Sequence, residues 1–373
     1  MEKTGGRNYG IDLLRMLSML MIAVLHVIGQ GGVMVRISTH PSTYYAVWFL
    51  ETCAFCAVDI YGLISGYVGV NSRPRFSRIL ELYITVYFYS AGFTLLWSIL
   101  EPGSVTAEMW QKSLMPVTWN TYWYFSGYFV LFFIMPFLNR MMQNLKEEEC
   151  RRLFWILFIM FSVLTTIPKM YKVDFLELIG GYSFIWLAVL YVMGACLRKM
   201  RLPHISRIAS LSVYFVMVLI SWGSKILIEN HTRTLYGEAR YGRVLTTYSA
   251  PTILICALAL LFLFMNRTSY GPLDKVIRFL SPMTFAVYII HTQPVIWNFV
   301  LKNRVQYLKN YSWYKVILPV LGYALLIYCL CTLVELIRRI LFHVIGIDRL
   351  CSRLDRRFPP MEHIHTETSG ADD

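Results

Sequence analysis

An all-α integral membrane protein, about ten transmembrane helices in one bundle, is the fold class this sequence predicts, and three observations carry it. Apolar stretches of roughly twenty residues, the length that crosses a hydrocarbon core, recur along the chain. Of its 373 residues 57% are hydrophobic and only 15% charged, whereas a soluble domain carries about a quarter charged residues. So few charges cannot coat a water-exposed surface. Aromatic residues reach 16%, with 10 Trp and 25 Tyr, the side chains that collect where a bilayer meets water.

The predicted spans are residues 11–30, 45–66, 79–100, 119–139, 153–168, 177–197, 208–228, 248–266, 283–301 and 318–337. The fifth is the shortest and stops at Pro168, a residue that breaks helical hydrogen bonding. With the N-terminus in the cytoplasm, 22 Lys and Arg fall in cytoplasmic connections and 11 in outer ones, Arg15 and Lys225 lying within helices. That bias and the even number of spans put both termini in the cytoplasm. Residues 1–340 form one transmembrane domain, and 341–373 a short cytoplasmic tail whose end, HIHTETSGADD, has the composition of a disordered segment. The outer loop 229–247 is the longest polar connection. No cleavable leader and no internal repeat is evident.

The net charge of +13 does not point to nucleic acid, because the basic residues are dispersed over short loops where they orient helices. Most of the eight cysteines fall inside apolar runs. Cys53 and Cys56 form C-x-x-C within a span and read as small packing residues, not as a redox or metal site. No bound metal is expected.

Titratable side chains inside a membrane are expensive and are functional candidates by default. The deep ones are His26, Glu51, Asp59 and His291, with Asp12 and Arg15 nearer the start of the first span. Arg15 and His26 are eleven residues apart, three helical turns plus about 20°, so they share one face and stand roughly 16 Å apart along the axis. An imidazole can take and return a proton near neutral pH, and a guanidinium matches phosphate in fork geometry. Helix arithmetic places Glu51 near the level of His26 and Asp59 near that of Arg15. The expectation is two rungs, Glu51 with His26 and Asp59 with Arg15. The same residues also suit plain interhelical hydrogen bonding.

The run RNYGIDLLRMLSMLMIAVLHVIGQGG, residues 7–32, resembles the opening of the membrane-bound acyltransferase family 3, whose first helix carries a basic residue, ten others and then His. Residues 58–69 (VDIYGLISGYVG) resemble its Asp-containing segment ending in Ser-Gly-aromatic, at Asp59, Ser65, Gly66 and Tyr67. Residues 73–80 (RPRFSRIL) resemble its basic entry to the third helix, 121–139 its Trp-Tyr helix, and 285–296 (FAVYIIHTQPVI) its Tyr-x-x-His helix. The family often has Pro where this chain has Glu81.

The resemblance implies an O-acetyltransferase type of enzyme in a bacterial plasma (inner) membrane. It would move an acyl group, acetyl in the first instance, from acyl-CoA to a hydroxyl of a cell-envelope sugar or lipid-linked glycan. Acetyl-CoA or another acyl-CoA would be a donor substrate, with no permanently bound cofactor. By resemblance His26 is the catalytic histidine, Arg15 its basic partner, and His291 an assisting group. Arg15, Arg75 and Arg78 are candidates for the CoA phosphates, and Trp123, Tyr124 and Tyr288 for acceptor contacts, together with Trp119 and the outer loop. Any soluble extracytoplasmic step would need a separate partner enzyme. The competing reading is a transporter or flippase for an envelope precursor, which buried charges in a multi-helix bundle also suit.

Overall fold

The computed structural model describes residues 7–34, 41–171, 173–347 and 349, with 353, 356 and 357 in the tail; the polar end HIHTETSGADD lies outside the described residues. Among these residues there is helix and no strand. The main helices are α1 (Tyr9–Gly29), α2 (Pro41–Ala54), α3 (Ala57–Gly69), α4 (Phe76–Leu100), α5 (Ala107–Leu114), α6 (Trp123–Asn144), α7 (Glu147–Phe158), α8 (Phe184–Lys199), α9 (Arg207–Tyr236), α10 (Pro251–Met265), α11 (Leu273–Leu280), α12 (Thr284–His291) and α13 (Trp313–Ile345). Every predicted span contains helix. Six stretches are long and apolar enough to cross a membrane: α1, α2 with α3, α4, α6, α9 and α13. The other four predicted spans are shorter or broken: α7 with the π turn Ile159–Val163, α8, α10, and α12 with the π turn Ile296–Leu301.

Polar tethers at its two ends show how the bundle alternates direction. At one end the Asn8 side chain donates to the carbonyl of Met265, Asn139 donates to that of Gly69, Lys199 to that of Leu145 and Arg339 to that of Pro282. At the other end Thr43 donates to Tyr311, Trp222 to Tyr45 and Gln30 to Trp297, each to a backbone carbonyl. The apolar window of α2–α3 is 78% buried and that of α9 only 22%, so the first pair is central and α9 peripheral. The peripheral helices show broad apolar faces, including Leu211, Phe215 and Leu219 on α9 and Leu326, Leu330, Leu333 and Ile337 on α13. Surfaces of that size belong against lipid.

The tightest seam joins α3 to α8. Gly62 and Gly66 on α3 and Gly194 on α8 let the two backbones touch, because a Cβ at Gly66 would overlap the Tyr191 carbonyl and one at Gly194 the Leu63 carbonyl. Small residues at such spacing drive helix contact where no hydrophobic force acts between lipid-solvated helices.

Two spans read as continuous are interrupted. The second breaks between α2 and α3 at Phe55 and Cys56. In an unbroken helix the Cys53 carbonyl would accept from residue 57; here the Tyr214 hydroxyl donates to it at 2.7 Å. The ninth breaks after α12, where the Gln293 side-chain Oε1 accepts from the Val295 and Ile296 amides at 2.7 and 3.0 Å and its Nε2 donates to Thr94 Oγ1 at 2.9 Å. Pro294 opens the next turn without needing a donor partner.

Helix ends also move. The structure carries α13 to Ile345, past the predicted end at 337 and past the domain boundary at 340. Arg338, read as a loop charge, is therefore inside a helix and buried. Its guanidinium donates twice to Glu335, at 2.8 and 2.6 Å, while Tyr89 and Arg339 donate to the same carboxylate. Likewise α9 runs to Tyr236, so the first part of the predicted outer loop is helical and Glu229 is buried on it.

Gly66→Val is expected to lower the thermal midpoint and membrane yield of the purified protein, because backbone cannot yield to the added side chain. Gly92→Ala, with nothing near its Cβ position, should leave both unchanged in a fluorescence size-exclusion melt. Arg338→Met removes two of the four hydrogen bonds to the buried Glu335 carboxylate, leaving Arg339 and Tyr89, and should cost about 1–3 kcal/mol of stability, read in the same melt.

Candidate active site

The first helix sets the frame. The Asn8 side chain accepts from the Ile11 amide at 3.1 Å and so caps α1. Asp12, one turn in, accepts from Arg7 at 2.5 Å and from Arg15 at 2.9 Å. The Arg15 carbonyl accepts from the Tyr61 hydroxyl at 2.8 Å, which ties this level of α1 to α3. Arg75 and Arg78 stand at the exposed start of α4.

His26 lies in the last turn of α1, roughly 25 Å along the axis from its first residue. His291 ends α12 and is 2% exposed. The two imidazoles meet: His26 Nδ1 is 2.7 Å from His291 Nε2, with ring centroids 4.9 Å apart. Trp297 stands edge-on to His26, also 4.9 Å between centroids. His291 Nδ1 lies 2.5 Å from the Val287 carbonyl oxygen. A carbonyl can only accept, so His291 Nδ1 carries the hydrogen. In the neutral ring Nε2 then bears the lone pair and accepts from His26 Nδ1–H. His26 Nε2 is left with a free lone pair on a half-buried ring. Tautomers are assigned here from the hydrogen-bond network. Both rings sit at helix C-termini, where the backbone field favours a cation.

Aromatic contacts connect this pair to the rest of the interior. Tyr288 lies 6.4 Å from His291, Tyr124 6.4 Å from Tyr288, Tyr61 6.2 Å from Tyr124 and Trp123 5.7 Å from Tyr124. Tyr124 and Tyr288 thus lie between the level of Arg15 and the histidines. The His26 side of α1 faces α12, while the part-exposed Arg15 side chain pairs with Asp12 on its own helix.

The two-rung expectation is overturned. Among the described residues no hydrogen bond joins Glu51 to His26 or Asp59 to Arg15. Asp59 is fully buried and accepts from the Trp186 indole at 2.9 Å; Arg15 pairs with Asp12 on its own helix. Glu51 faces the fields of Arg243 and Lys225. The helix arithmetic assumed one continuous second span, and the break at Phe55 and Cys56 resets both angle and rise between Glu51 and Asp59. Cys53 and Cys56 are free thiols at that break.

Sequence reading missed three features. The contact between His26 and His291 spans 265 positions and has no local signal. Lys225, 2% exposed, donates to Glu229 and lies 3.6 Å from the centre of the Trp48 ring, while Tyr44 also donates to Glu229. The Glu335 and Arg338 pair is the third. Both ion pairs had a signal, opposite charges three or four residues apart inside an apolar run.

These features define the class: a multi-pass, all-helical membrane protein with a hydrogen-bonded histidine pair inside the bundle. The chain belongs to acyltransferase family 3, since the family model described as an acyltransferase domain matches residues 8–336; it is a membrane acyltransferase. No curated protein and no solved structure matches it.

Solid-state NMR of nitrogen-15 histidine is expected to report His26 as the Nδ1-protonated tautomer. His291→Ala removes its acceptor and should broaden or shift that signal; an Nε2-protonated His26 in the wild type would refute the assignment.

Proposed function

We propose that this membrane acyltransferase moves an acyl group, acetyl first, from acyl-CoA to a hydroxyl of a cell-envelope sugar or lipid-linked glycan, in a bacterial plasma membrane with both termini cytoplasmic. The observation that carries the chemical part is the chain from the Val287 carbonyl through His291 to His26, which leaves one basic nitrogen aimed away from the pair. A general base needs a free lone pair and a fixed ring, and the chain supplies both.

His26 Nε2 takes the proton from the acceptor hydroxyl as its oxygen attacks the thioester carbonyl. The tetrahedral adduct collapses, the C–S bond breaks, and the proton passes from His26 to the departing thiolate, giving ester and free CoA. His291 acts as a positioning residue: it holds the tautomer and spreads the transient charge toward the helix terminus. Arg15 and Arg78, with Arg75 beside them, suit the CoA phosphates, and the long pantetheine arm would run past Tyr124 and Tyr288 toward the histidines. Nothing in this scheme needs a metal or a resident cofactor, and the lipid bilayer is the protein's solvent. A separate extracytoplasmic enzyme would perform any soluble step.

His26→Ala, at normal membrane abundance, should slow transfer of labelled acetyl from acetyl-CoA to envelope glycan by roughly 10²–10⁴. Wild-type transfer by that variant, or lost glycan export with acetylation intact, would sink the enzyme reading in favour of transport. His291→Gln, whose carbonyl can accept from His26 Nδ1–H, should retain more kcat than His291→Ala with KM for acyl-CoA little changed. Arg15→Gln should instead raise that KM more than it lowers kcat.

A further inference from the structure

A second group of chemistry-bearing side chains lies outside the proton path. Trp123 and Tyr182 pack with centroids 4.9 Å apart, Tyr182 and Tyr248 4.7 Å apart with hydroxyls at 3.3 Å, and Phe55 stacks on Tyr248 at 4.6 Å. Tyr248 is buried while Tyr182 is 45% exposed, so the cluster opens outward at Tyr182. An unusual backbone holds it there: Glu177 and Ile179, neither a glycine, have φ of 51° and 52°, followed by Gly180 at 65° and Gly181 at 101°. Left-handed conformations at non-glycine residues persist where the surroundings enforce them, often at binding sites. Gly181 must lack a Cβ, which would overlap that of Tyr248.

Glu51 is the polar member. It is 7% exposed, and its Oε2 has no hydrogen-bond partner. It stands on α2 four residues before Phe55, the ring that stacks on Tyr248, which puts it beside the cluster. A buried acceptor without a donor is costly. Two cations bear on Glu51. Lys225 is already engaged by Glu229 and Trp48. The exposed Arg243 guanidinium lies 5.0 Å from the Trp48 ring centre, and among the described residues no ion pair holds it. An orphaned acceptor beside the stacked rings and an exposed guanidinium on the loop that leads into Tyr248 are thus available to a ligand.

The chemistry selects the ligand. An ammonium group would suit rings and carboxylate but would meet Arg243 and Lys225. An anion would meet Glu51. A neutral polyhydroxylated ring satisfies all three: one hydroxyl donates to Glu51, another accepts from Arg243, and the apolar C–H face lies on an aromatic ring.

We propose that Trp123, Tyr182 and Tyr248, with Glu51 and Arg243, form a subsite for one neutral pyranose ring of the acceptor. Glu51 is thereby a binding residue, not a partner of His26. The subsite adjoins the reactive pair through the ring contacts from Trp123 to Tyr124, Tyr288 and His291. It rests on the reading of the acceptor as a sugar.

The test uses the full chain in lipid nanodiscs and saturation-transfer-difference NMR, which reads binding without turnover. The probes are the methyl glycosides of glucose, N-acetylglucosamine and rhamnose, with choline as a cationic control. At least one glycoside should bind wild type and choline should not. Glu51→Gln and Arg243→Gln should each weaken that glycoside roughly tenfold, and Tyr182→Phe, which keeps the stacking face, much less than Tyr182→Ala. Normal elution of each variant on size exclusion establishes that it folds. Preference for choline, absence of glycoside binding to wild type, or equal binding by all variants overturns the subsite. CoA release from acetyl-CoA, compared between wild type and His26→Ala in the same discs, tests acyl transfer separately, so either reading can fail while the other stands.

Discussion

A backbone group released where a helix breaks inside this bundle must be met from within the protein, because hydrocarbon offers no partner. That requirement decides where helices are allowed to break. The Cys53 carbonyl, released at the junction of α2 and α3, is taken up by Tyr214 from α9. The free amides after α12 are taken up by Gln293, whose own amide is anchored to Thr94 on α4. Each break is affordable only because a side chain on another helix closes it, and each lies beside the chemistry. The first separates Glu51 from Asp59; the second ends α12 at His291.

The same requirement accounts for the histidine pair. A lone imidazole at that depth would leave ring nitrogens unsatisfied. Paired end to end with a backbone carbonyl, three of the four nitrogens are accounted for and one remains. The directionality comes from the Val287 carbonyl, which cannot donate and so orders every hydrogen along the chain. On the proposed mechanism the same relay would hold the general base.

Two other buried carboxylates gather cations and phenols around them. Glu335 gathers Arg338, Arg339 and Tyr89; Glu229 gathers Lys225 and Tyr44. Such clusters fix the helix faces they join, since breaking one leaves a bare charge in a low-dielectric interior. Against these, the carboxylate of Glu51 stands out because its partners are near without touching it.

Composition and span length sufficed to determine a helical membrane protein, since both follow from the cost of hydrating or burying side chains one residue at a time. The spacing of Arg15 and His26 was equally legible, because a single helix fixes both angle and rise. So were the Arg15, Asp59 and His291 motifs that mark the family. What the tertiary structure alone decided are the pairings across the chain. Glu51 and Asp59 were placed by extrapolating one helix through a break that no local signal revealed; Asp59 bonds Trp186 instead of Arg15, and Glu51 Oε2 has no hydrogen bond. His26 met His291 from 265 positions away, and Tyr182 met Trp123 and Tyr248 across three segments. Periodicity describes one helix at a time; which side chains share a hydrogen bond depends on how helices pack, break and turn against one another, and that is a property of the bundle.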